Sequence, residues 1–343
     1  MAAPRVTITD VARHAGVSKT LVSFALNDRP GVSPESRRRI LAAAAELGWR
    51  PSHRARSLSV SRAFALGLVV ARPAELLGAD PFFLAFIAGV ETVLSEHDQA
   101  LVLLVVRDRA AEVAGYERLA RDGRVDGVLV TDLRHDDERL ALLERLRLPA
   151  VTLNRPAGPS SSPAVCLDDS AGVREAVAHL VDLGHRHIGH VAGPAPFLHS
   201  RSRREAWAQA LAEHGLPPGP EAVGDFSPAS GAAATRTLLG ADEPPTAVVY
   251  ANDLMAMAGL TVAHQCGVQV PGDLSVTGFD DAASAAHTHP PLTTIRADVP
   301  AWGARCARTL LELVEGGAAE DVEMPPARLV VRDTTGPPRR GGP

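Results

Sequence analysis

Two patterns of apolar residues divide this chain of 343 residues. In residues 1–50 apolar side chains recur at helical spacing, whereas from Ala63 onward unbroken apolar runs alternate with amphipathic stretches. Short β-branched runs of this kind are typical of parallel strands that are buried on both faces. The runs predict strands at 65–71, 100–106, 127–131, 150–153, 165–167, 187–192, 247–251 and 274–279, then a helix at 302–314 and a strand at 328–332. The pattern therefore predicts an α/β body behind a small helical unit.

The first two predicted helices are short and are separated by a tight break. Thr7 and Asp10 form a start that resembles a capping box, and Gly16 supplies the permissive backbone for the turn. Ser18 is positioned to cap the second helix. Small Ala12, then Gly16, then branched Val22 have the spacing of a helix-turn-helix, in which the valine fills the angle between the two helices.

A third helix is predicted over 35–47, with Ser33 as its cap and Pro34 in its first position. Its apolar stripe is expected to close a three-helix core. The residues of that stripe are Ile40, Leu41, Ala44 and Leu47. Gly48 ends the helix.

Charge separates the two parts of the chain as clearly as hydropathy does. Residues 1–62 carry eleven basic and four acidic side chains, a formal charge of +7. Because the whole chain carries −5, the remaining residues carry −12. A short basic unit on an acidic body is typical of a nucleic-acid-binding module attached to a second function.

Several other classes of protein are disfavoured. Cys166, Cys266 and Cys306 lie far apart, which suits a reducing cytoplasm. No apolar run approaches the roughly 18–20 residues of a membrane span, and the N-terminus lacks the apolar core of a secretory signal. A solute-binding protein that serves a transporter would need such a signal. We therefore expect a cytoplasmic protein without a membrane partner.

An enzyme is the main alternative for an α/β chain. The sequence contains no GxGxxG after a strand, no Walker A loop, no GxSxG and no HExxH. His185, His187 and His190 straddle the start of a predicted strand, so alternate side chains diverge, and acidic or thiol partners at ligand spacing are missing. These histidines are predicted to be structural. We expect neither catalysis, nor a metal, nor a cofactor.

The stretch VTITDVARHAGVSKTLVSFALNDRPGVSPESRRRILAAAAELGWRPSHRARSLS resembles the DNA-binding headpiece and hinge of the lactose-repressor (LacI/GalR) family, and the similarity runs on to about Asp333. The resemblance implies a recognition helix in the major groove and a hinge leucine that wedges into the minor groove of the operator. The DNA-contacting residues that it implies are Thr7, Ser18, Lys19, Thr20, Ser23, Phe24, Asn27, Ser33, Ala55 and Leu58. Leu58 is the implied wedge, and Ala55 lets the paired hinge helices approach each other.

One position departs from the family pattern. Many relatives carry arginine where this chain has Phe24, so a bidentate contact to guanine is lost there. Phenylalanine can contact a thymine methyl group or pack against the protein. The operator sequence of a relative therefore cannot be transferred to this chain.

The family resemblance also implies the domain organisation: a headpiece at 1–50, a hinge at 51–62 and an effector-binding and dimerisation core at 63–335. The core is expected to have two lobes, like a periplasmic binding protein, each a parallel sheet flanked by helices. The first lobe comprises about 63–163 plus 292–320, and the second about 164–291 plus 321–335. Residues 336–343, rich in proline and glycine, are expected to be disordered. We find no leucine heptads of the kind that join two dimers in some relatives. A homodimer is therefore expected.

The resemblance places an effector site in the cleft between the lobes. The residues expected to line it are Phe82, Phe83, Asn154, Arg203, Phe226, Asn252 and Asp280. Carboxylate and guanidinium groups suit the paired hydroxyls of a sugar, and aromatic rings cover its apolar face. Phe82 and Phe83 are assigned to a turn, and the second aspartate of each acidic pair, Asp169, Asp253 and Asp281, is expected to cap a helix. The insert at 72–80 is longer and more apolar than expected at this turn, and it is a candidate to reshape the pocket in a way that the sequence does not define.

Together these features predict a transcriptional regulator, associated with the nucleoid when it is bound to pseudo-palindromic operator DNA. A repressor is expected, whose operator affinity is changed by a small-molecule effector, a sugar or sugar derivative. The alternative is a corepressor-dependent regulator that senses a nucleobase or another metabolite that is not a sugar. The sequence leaves open whether the effector relieves or promotes repression.

Overall fold

The computed structural model describes residues 6–26, 30–49 and 62–339. The chain forms two compact units, Met1–Phe64 and Ala65–Pro343. The first contains the predicted three-helix headpiece, and the second contains the α/β core. None of the helices in the described ranges has the length and apolar character needed to cross a membrane.

The headpiece has the three predicted helices, α1 (Ile8–Ala15), α2 (Lys19–Leu26) and α3 (Pro34–Glu46). The predicted start signals are confirmed: the Asp10 carboxylate accepts hydrogen bonds from the Thr7 N–H at 2.9 Å and from the Thr7 hydroxyl at 2.7 Å. Gly16 is in the left-handed region, with φ of 63°. Ser18 Oγ accepts from the Leu21 N–H at 3.2 Å and thereby caps α2.

A small apolar core holds these helices together. Its buried members are Val11, Ala12, Ala15, Val22, Ala25, Ile40, Ala43 and Ala44. The expected place of Leu41 in this core is wrong, since its side chain is 47% exposed. The stripe of α3 runs through Ile40, Ala43 and Ala44 at helical spacing, and Leu41 lies about 100° around the helix from Ile40.

The first lobe of the core is a six-stranded parallel sheet. Its strands in chain order are β1 (Ala65–Ala71), β2 (Ala100–Val106), β3 (Gly127–Val130), β4 (Ala150–Leu153), β5 (Ala164–Cys166) and β11 (Val322–Glu323). Their order across the sheet is β11-β5-β4-β3-β1-β2. The helices of this lobe are α4 (Ala74–Ala79), α5 (Pro81–Glu96), α6 (Arg109–Arg121), α7 (Glu138–Leu146) and α12 (Val299–Val314).

Helices α5 and α12 pack closely because glycine lies at their crossing. A Cβ atom placed on Gly89 would lie 2.0 Å from the Pro300 carbonyl oxygen, and one placed on Gly303 would lie 2.3 Å from the Phe86 carbonyl oxygen. Side chains at these positions would therefore push the helices apart. This crossing fixes the end of α5 that carries Phe82.

The second lobe is a four-stranded parallel sheet with the order β7-β6-β8-β9. The strands are β6 (Ile188–Ala192), β7 (Glu221–Val223), β8 (Ala247–Tyr250) and β9 (Ser275–Thr277). The helices are α8 (Ser170–Asp182), α9 (Leu198–Glu213), α10 (Pro228–Leu239) and α11 (Asp253–Gln265), with a 3₁₀ turn at Ala283–His287. A separate antiparallel pair, β10 (Thr294–Arg296) and β12 (Arg328–Val330), completes the core.

Each predicted strand run coincides with a strand to within two residues at either end, which confirms the α/β fold class. The predicted lobe boundaries at 164 and 321 differ from the structure, because β5 and β11 belong to the first sheet. Thr152 of β4 pairs with Ala164, and Val165 pairs with Val322. The chain therefore leaves the first sheet after Cys166.

The expectation of a disordered tail is wrong for residues 336–339. The Gly336 N–H donates to Ser275 Oγ at 3.0 Å, and Arg339 forms an ion pair with Asp273 at 2.7 Å. The Val276 N–H also donates to the Thr334 carbonyl at 2.9 Å. This segment continues along the second sheet because that edge offers unpaired backbone groups. Residues 340–343 lie outside the described ranges.

Candidate functional site

Helix α2, the predicted recognition helix, buries one side and exposes polar side chains on the rest of its surface. Val22 and Ala25 are buried in the headpiece core, whereas Lys19 and Thr20 are exposed. Ser23 and Phe24 are half-buried. The helical period places Thr20 on the side opposite Val22 and Ala25, whereas Lys19, the first residue of the helix, lies at the edge of the buried face.

The remaining DNA-binding predictions fall in two groups. Thr7, Ser18 and Ser33 are exposed at the starts of α1, α2 and α3. Backbone N–H groups at helix starts carry partial positive charge, which favours phosphate there. Asn27, Ala55 and Leu58 lie outside the described residues.

A cleft lies between the two sheets of the core and is lined by both lobes. The cavity has a volume of about 70 Å³. First-lobe residues that line it include Arg72, Asp80, Phe82, Asp132, Asn154 and Trp302. Second-lobe residues that line it include Asp169, His199, Arg203, Phe226, Asn252 and Asp280. Six of the seven residues predicted for the effector site therefore meet in one cavity.

The lobes touch at one edge of this cleft. The Leu198 N–H donates to the Leu133 carbonyl at 2.8 Å, and Arg134 forms an isolated antiparallel bridge with Phe197. Leu133 follows strand β3 of the first lobe, and Leu198 begins helix α9 of the second. Main-chain contacts between the lobes make the cleft sensitive to any change in their separation.

Arg203 is held by three contacts of the second lobe. Its Nε donates to Asp169 Oδ2 at 2.8 Å, and its Nη1 donates to the Ala251 carbonyl at 2.8 Å. The guanidinium carbon lies 3.5 Å from the centre of the Phe279 ring. Arg201 lies on the same helix but is exposed and pairs with Glu205. Arg203 is therefore a fixed part of the cleft.

The predicted capping role of Asp169 is wrong. Its carboxylate binds Arg203, and the neighbouring Asp168 caps α8 by accepting from the Ser170 N–H at 2.9 Å. Asp169 is buried, whereas Asp168 is half exposed. An arginine buried beside Asp169 offers a stronger partner than a helix N–H group.

Asp280 follows strand β9 in a rarely used backbone conformation, with φ of 106°. The Asp280 N–H donates to the Ile295 carbonyl at 2.9 Å. Within the described residues, no hydrogen bond reaches its carboxyl group. Burial raises the pKa of Asp280 well above the usual range, although Arg203 opposes this shift. Such a carboxyl group is ready to exchange hydrogen bonds with a ligand.

Asp253 and Asp281, which were also expected to cap helices, do not do so either. The carboxylate of Asp253 accepts from the Thr294 hydroxyl at 2.5 Å and from the Ala282 N–H at 2.7 Å. Burial raises the pKa of Asp253 to about 7. Asp281 forms ion pairs with Arg296 and Arg332 at 2.5 Å each. Both aspartates thus fasten β9 to the strands that cross between the lobes.

Asn252 is the residue that caps α11. Its Oδ1 accepts from the Met255 N–H at 3.0 Å, and its Nδ2 donates to the Phe226 carbonyl at 3.0 Å. Because both ends of the amide are engaged, Asn252 positions Phe226 as well as lining the cleft. Asn154 of the first lobe also lines the cleft while its side chain binds the main chain. Its Oδ1 accepts from the Leu167 N–H at 2.7 Å.

Phe226 forms an aromatic wall with His199. The two rings stack at 5.6 Å between centres, and His199 also stacks on Phe197 at 5.5 Å. A Cβ atom on Gly193 would lie 2.3 Å from Phe226 Cζ, so only glycine leaves room for the ring. Burial lowers the pKa of His199 to about 3, with a further contribution from Arg203. The histidine is therefore neutral near pH 7.

Phe82 and Phe83 lie in the first turn of helix α5, capped by Asp80, rather than in the turn that the sequence suggested. Phe82 lines the cleft, with its ring 6.1 Å from that of Trp302. The expectation for Phe83 is wrong: it is 1% exposed and belongs to the core together with Phe86. Residues 83 and 86 share the buried face of α5, and residue 82 lies one position around the helix.

Sequence reasoning missed a cluster of charges on the first-lobe side. Arg72 donates from Nε and Nη2 to the two carboxylate oxygens of Asp132 at 2.7 Å each, and from Nη1 to Asp80 at 3.2 Å. Although burial opposes ionisation, Arg72 holds the pKa of Asp132 below its usual value. A signal was available, because Arg72 closely follows β1 and Asp132 closely follows β3, where parallel sheets bind ligands.

Each of the three grouped histidines has at least one ring nitrogen bound to another group of the chain. His185 contacts the hydroxyls of Thr246 and Ser275 at 2.9 and 3.0 Å. His187 contacts the Glu243 carbonyl at 3.0 Å, and His190 contacts the Val249 carbonyl at 2.8 Å. Each histidine therefore has a structural partner of its own.

Comparison with known proteins identifies both units. Residues 7–52 match the model for bacterial regulatory proteins of the lacI family, and residues 177–335 match that for a periplasmic binding protein-like domain. The transcriptional regulator CelR of Thermobifida fusca is 34% identical and covers 96% of this chain and 98% of its own length. The regulator AglR of Rhizobium meliloti is 33% identical, covering 97% and 95%. The repressor PurR of Photobacterium profundum is 34% identical, covering 90% and 92%.

Solved structures agree with these relatives. The lac repressor dimer bound to operator and the anti-inducer ONPF has 30% identity and a TM-score of 0.82, covering 97% of this chain and all of that one. The complex of CelR with cellobiose has 33% identity and a TM-score of 0.73, covering 96% and 100%. The expectation of a protein that is not an enzyme is confirmed by these regulators. The chain belongs to the lactose-repressor (LacI) family of DNA-binding transcriptional regulators.

Proposed function

We propose that the protein is a homodimeric repressor whose affinity for its operator is changed by a sugar or sugar derivative bound in the interlobe cleft. The observation that carries this proposal is the lining of the cleft. Carboxyl groups, a guanidinium group and stacked aromatic rings from both lobes meet there in one cavity. Such a ligand contacts both lobes at once.

The lining suits the chemistry of a sugar. Asp280 offers a carboxyl group without a hydrogen-bond partner among the described residues, and Arg203 offers Nη2 beside it. Sugar hydroxyls both donate and accept, so these two groups are complementary to them. The rings of Phe226 and Trp302 provide apolar faces for the C–H side of a sugar ring. The cellobiose complex of CelR, which is similar over nearly the whole chain, supports the same ligand class.

The DNA-binding half of the proposal rests on the headpiece. Headpiece and hinge together, residues 1–62, carry a net charge of +7, which favours phosphate contacts, and Lys19 and Thr20 are exposed on α2. We propose that Ser23 and Phe24 contact bases, that Thr7, Ser18, Asn27 and Ser33 contact phosphates, and that Leu58 wedges into the minor groove. The similarity to an operator-bound lac repressor dimer supports this assignment and a dimeric state.

Effector and DNA are linked by a coupling free energy. If a ligand changes operator affinity, the operator changes ligand affinity by the same factor. The main-chain contact between Leu133 and Leu198 offers a point at which a ligand alters the separation of the lobes. Induction is the proposed sign, and a corepressor that promotes operator binding is the alternative.

The test measures operator binding of the full chain by fluorescence anisotropy, with an operator selected from random duplexes. Mono- and disaccharides, polyols, nucleosides and nucleobases are first screened by thermal shift, since a ligand at about 100 times its Kd stabilises by about 2.7 kcal/mol. Hits are then added to the protein–operator complex. Release by a sugar supports the proposal, and tighter binding with a nucleobase supports the corepressor alternative. Failure to select any duplex would contradict both.

A further inference from the structure

We infer that the cleft takes an uncharged polyhydroxylated effector and rejects phosphorylated or acidic ones, because carboxylates of the chain already neutralise both of its guanidinium groups. The inference rests on the proposed function and names the chemical class of ligand for the same cleft.

All three nitrogens of Arg72 already donate to carboxylates within the described structure. Two of its nitrogens donate to Asp132 and the third donates to Asp80, and its side chain is 8% exposed. The rings of Phe83 and Phe226 lie 5.1 and 5.0 Å from the guanidinium carbon. Arginine binds phosphate through two parallel N–H bonds, and here that edge holds a carboxylate.

Arg203 is occupied in a similar way. Asp169 accepts from Nε, the Ala251 carbonyl accepts from Nη1, and the Phe279 ring covers one face of the guanidinium. The described residues leave Nη2 as the nitrogen available to a ligand. One nitrogen on an arginine that is already paired with a carboxylate suits a hydroxyl group better than a phosphate, which needs a pair of donors and an uncompensated charge.

The starts of α5 and α11, which lie near the cleft, do not supply the missing donors. Asp80 accepts from the Phe82 N–H at the start of α5, and Asn252 accepts from the Met255 N–H at the start of α11. These side chains occupy N–H groups that would otherwise attract an anion. Asp132 pairs with Arg72 and Asp169 pairs with Arg203, so the two guanidinium groups that line the cleft leave no uncompensated positive charge for an anion.

The test titrates inorganic phosphate and glucose 6-phosphate into the full-length protein by calorimetry at constant ionic strength. The wild type is expected to give no binding heat at millimolar concentrations of either probe. Asp132→Asn removes the carboxylate charge from Arg72 and is expected to gain anion binding by about tenfold or more. The double variant Arg72→Met, Asp132→Asn should lose this gain. Asp122→Asn, at an exposed aspartate of the same lobe, is the matched control.

Each outcome decides the inference. The inference would be overturned if the wild type binds either probe and Arg203→Met or Arg72→Met abolishes that binding. It would also be overturned if Asp132→Asn gains no anion binding. If Asp132→Asn does not melt cooperatively, Asp169→Asn, which removes the carboxylate charge from Arg203, takes its place under the same criterion. Because operator DNA is absent from these titrations, a failure here is distinct from a failure of the proposed regulatory function.

Discussion

Arg72 and Asp132 lie sixty positions apart in the chain, yet two parallel hydrogen bonds of 2.7 Å join the guanidinium to the carboxylate. The pair brings together the residues that closely follow β1 and β3, and so shapes the first-lobe wall of the cleft. Asp80 adds a third contact from the start of α5. The insert at 72–80, for which the sequence suggested an effect on the pocket without defining it, therefore builds part of this wall.

Breaking this pair should destabilise the core. Asp132→Asn leaves Arg72 buried without its main counter-charge, so we expect the free energy of unfolding to fall by about 3 kcal/mol. Replacing both partners, as in Arg72→Met with Asp132→Asn, should recover part of that loss. Urea denaturation measures all three proteins, and the exposed Asp122→Asn variant serves as control. An unchanged unfolding midpoint in Asp132→Asn would show that the pair contributes nothing.

Arg203→Ala and Asp280→Ala should each abolish the effector response while operator binding stays intact. Each change removes a polar partner of the proposed ligand, which typically costs about 1.5 to 3 kcal/mol, or roughly ten- to hundredfold in affinity. The measurement is a calorimetric titration of the effector found by screening. Arg201→Ala, at an exposed arginine on the same helix, should bind the effector normally. Wild-type affinity in both cleft variants would remove these residues from the site.

Operator binding should weaken steeply with salt. Phosphate contacts release counterions, so the charge of +7 on residues 1–62 predicts a linear fall of the logarithm of affinity with the logarithm of salt concentration. Lys19→Ala should reduce that slope by about one unit. Anisotropy titrations over a tenfold range of salt measure both slopes. Equal affinity at the two ends of the range would contradict phosphate contacts.

Leu58→Ala should weaken operator binding strongly without changing effector affinity. The proposed wedge acts only on DNA, where unstacking costs a few kcal/mol that contacts to bent DNA offset. The variant is compared with the wild type by anisotropy and, without DNA, by thermal melting. A lower melting temperature in the absence of DNA would show that Leu58 instead supports the folded protein.

His190 makes stability depend on pH in a defined direction. Burial lowers the pKa of this histidine to about 4 in the folded protein, against about 6.5 when it is exposed. The unfolded chain therefore binds the proton more tightly, and stability falls as pH decreases from 6.5 towards 4, by up to about 3 kcal/mol. The neutral variant His190→Asn should show a smaller fall than the wild type in denaturation measured across this range.

The control for that experiment is His287→Asn at an exposed histidine, which should follow the wild type. Both variants remove one imidazole, so a difference between them isolates the effect of burial. Parallel pH profiles for wild type and His190→Asn would show that other groups govern acid unfolding.

The sequence by itself determined the local elements. Ala12, Gly16 and Val22 predicted the helix-turn-helix because helical spacing and turn chemistry are properties of neighbouring residues. Nine of the twelve described strands were equally legible from their apolar runs. The short strands β7, β10 and β11 were missed, because their two or three residues are too few to form such a run. The resemblance to the family then identified Arg203 and Asp280 as candidate effector-binding residues. The structure places both in one cavity.

Tertiary structure alone decided which polar side chains meet. Asp169 binds Arg203 rather than a helix start, and Arg72 binds Asp132 across sixty positions, because the order of strands brings their ends together. The same order assigns β5 and β11 to the first sheet, and the direction of α5 sends Phe83 into the core and Phe82 to the cleft. A sequence pattern records the period of a helix or strand, but long-range charge pairing depends on distances that only the packed chain sets.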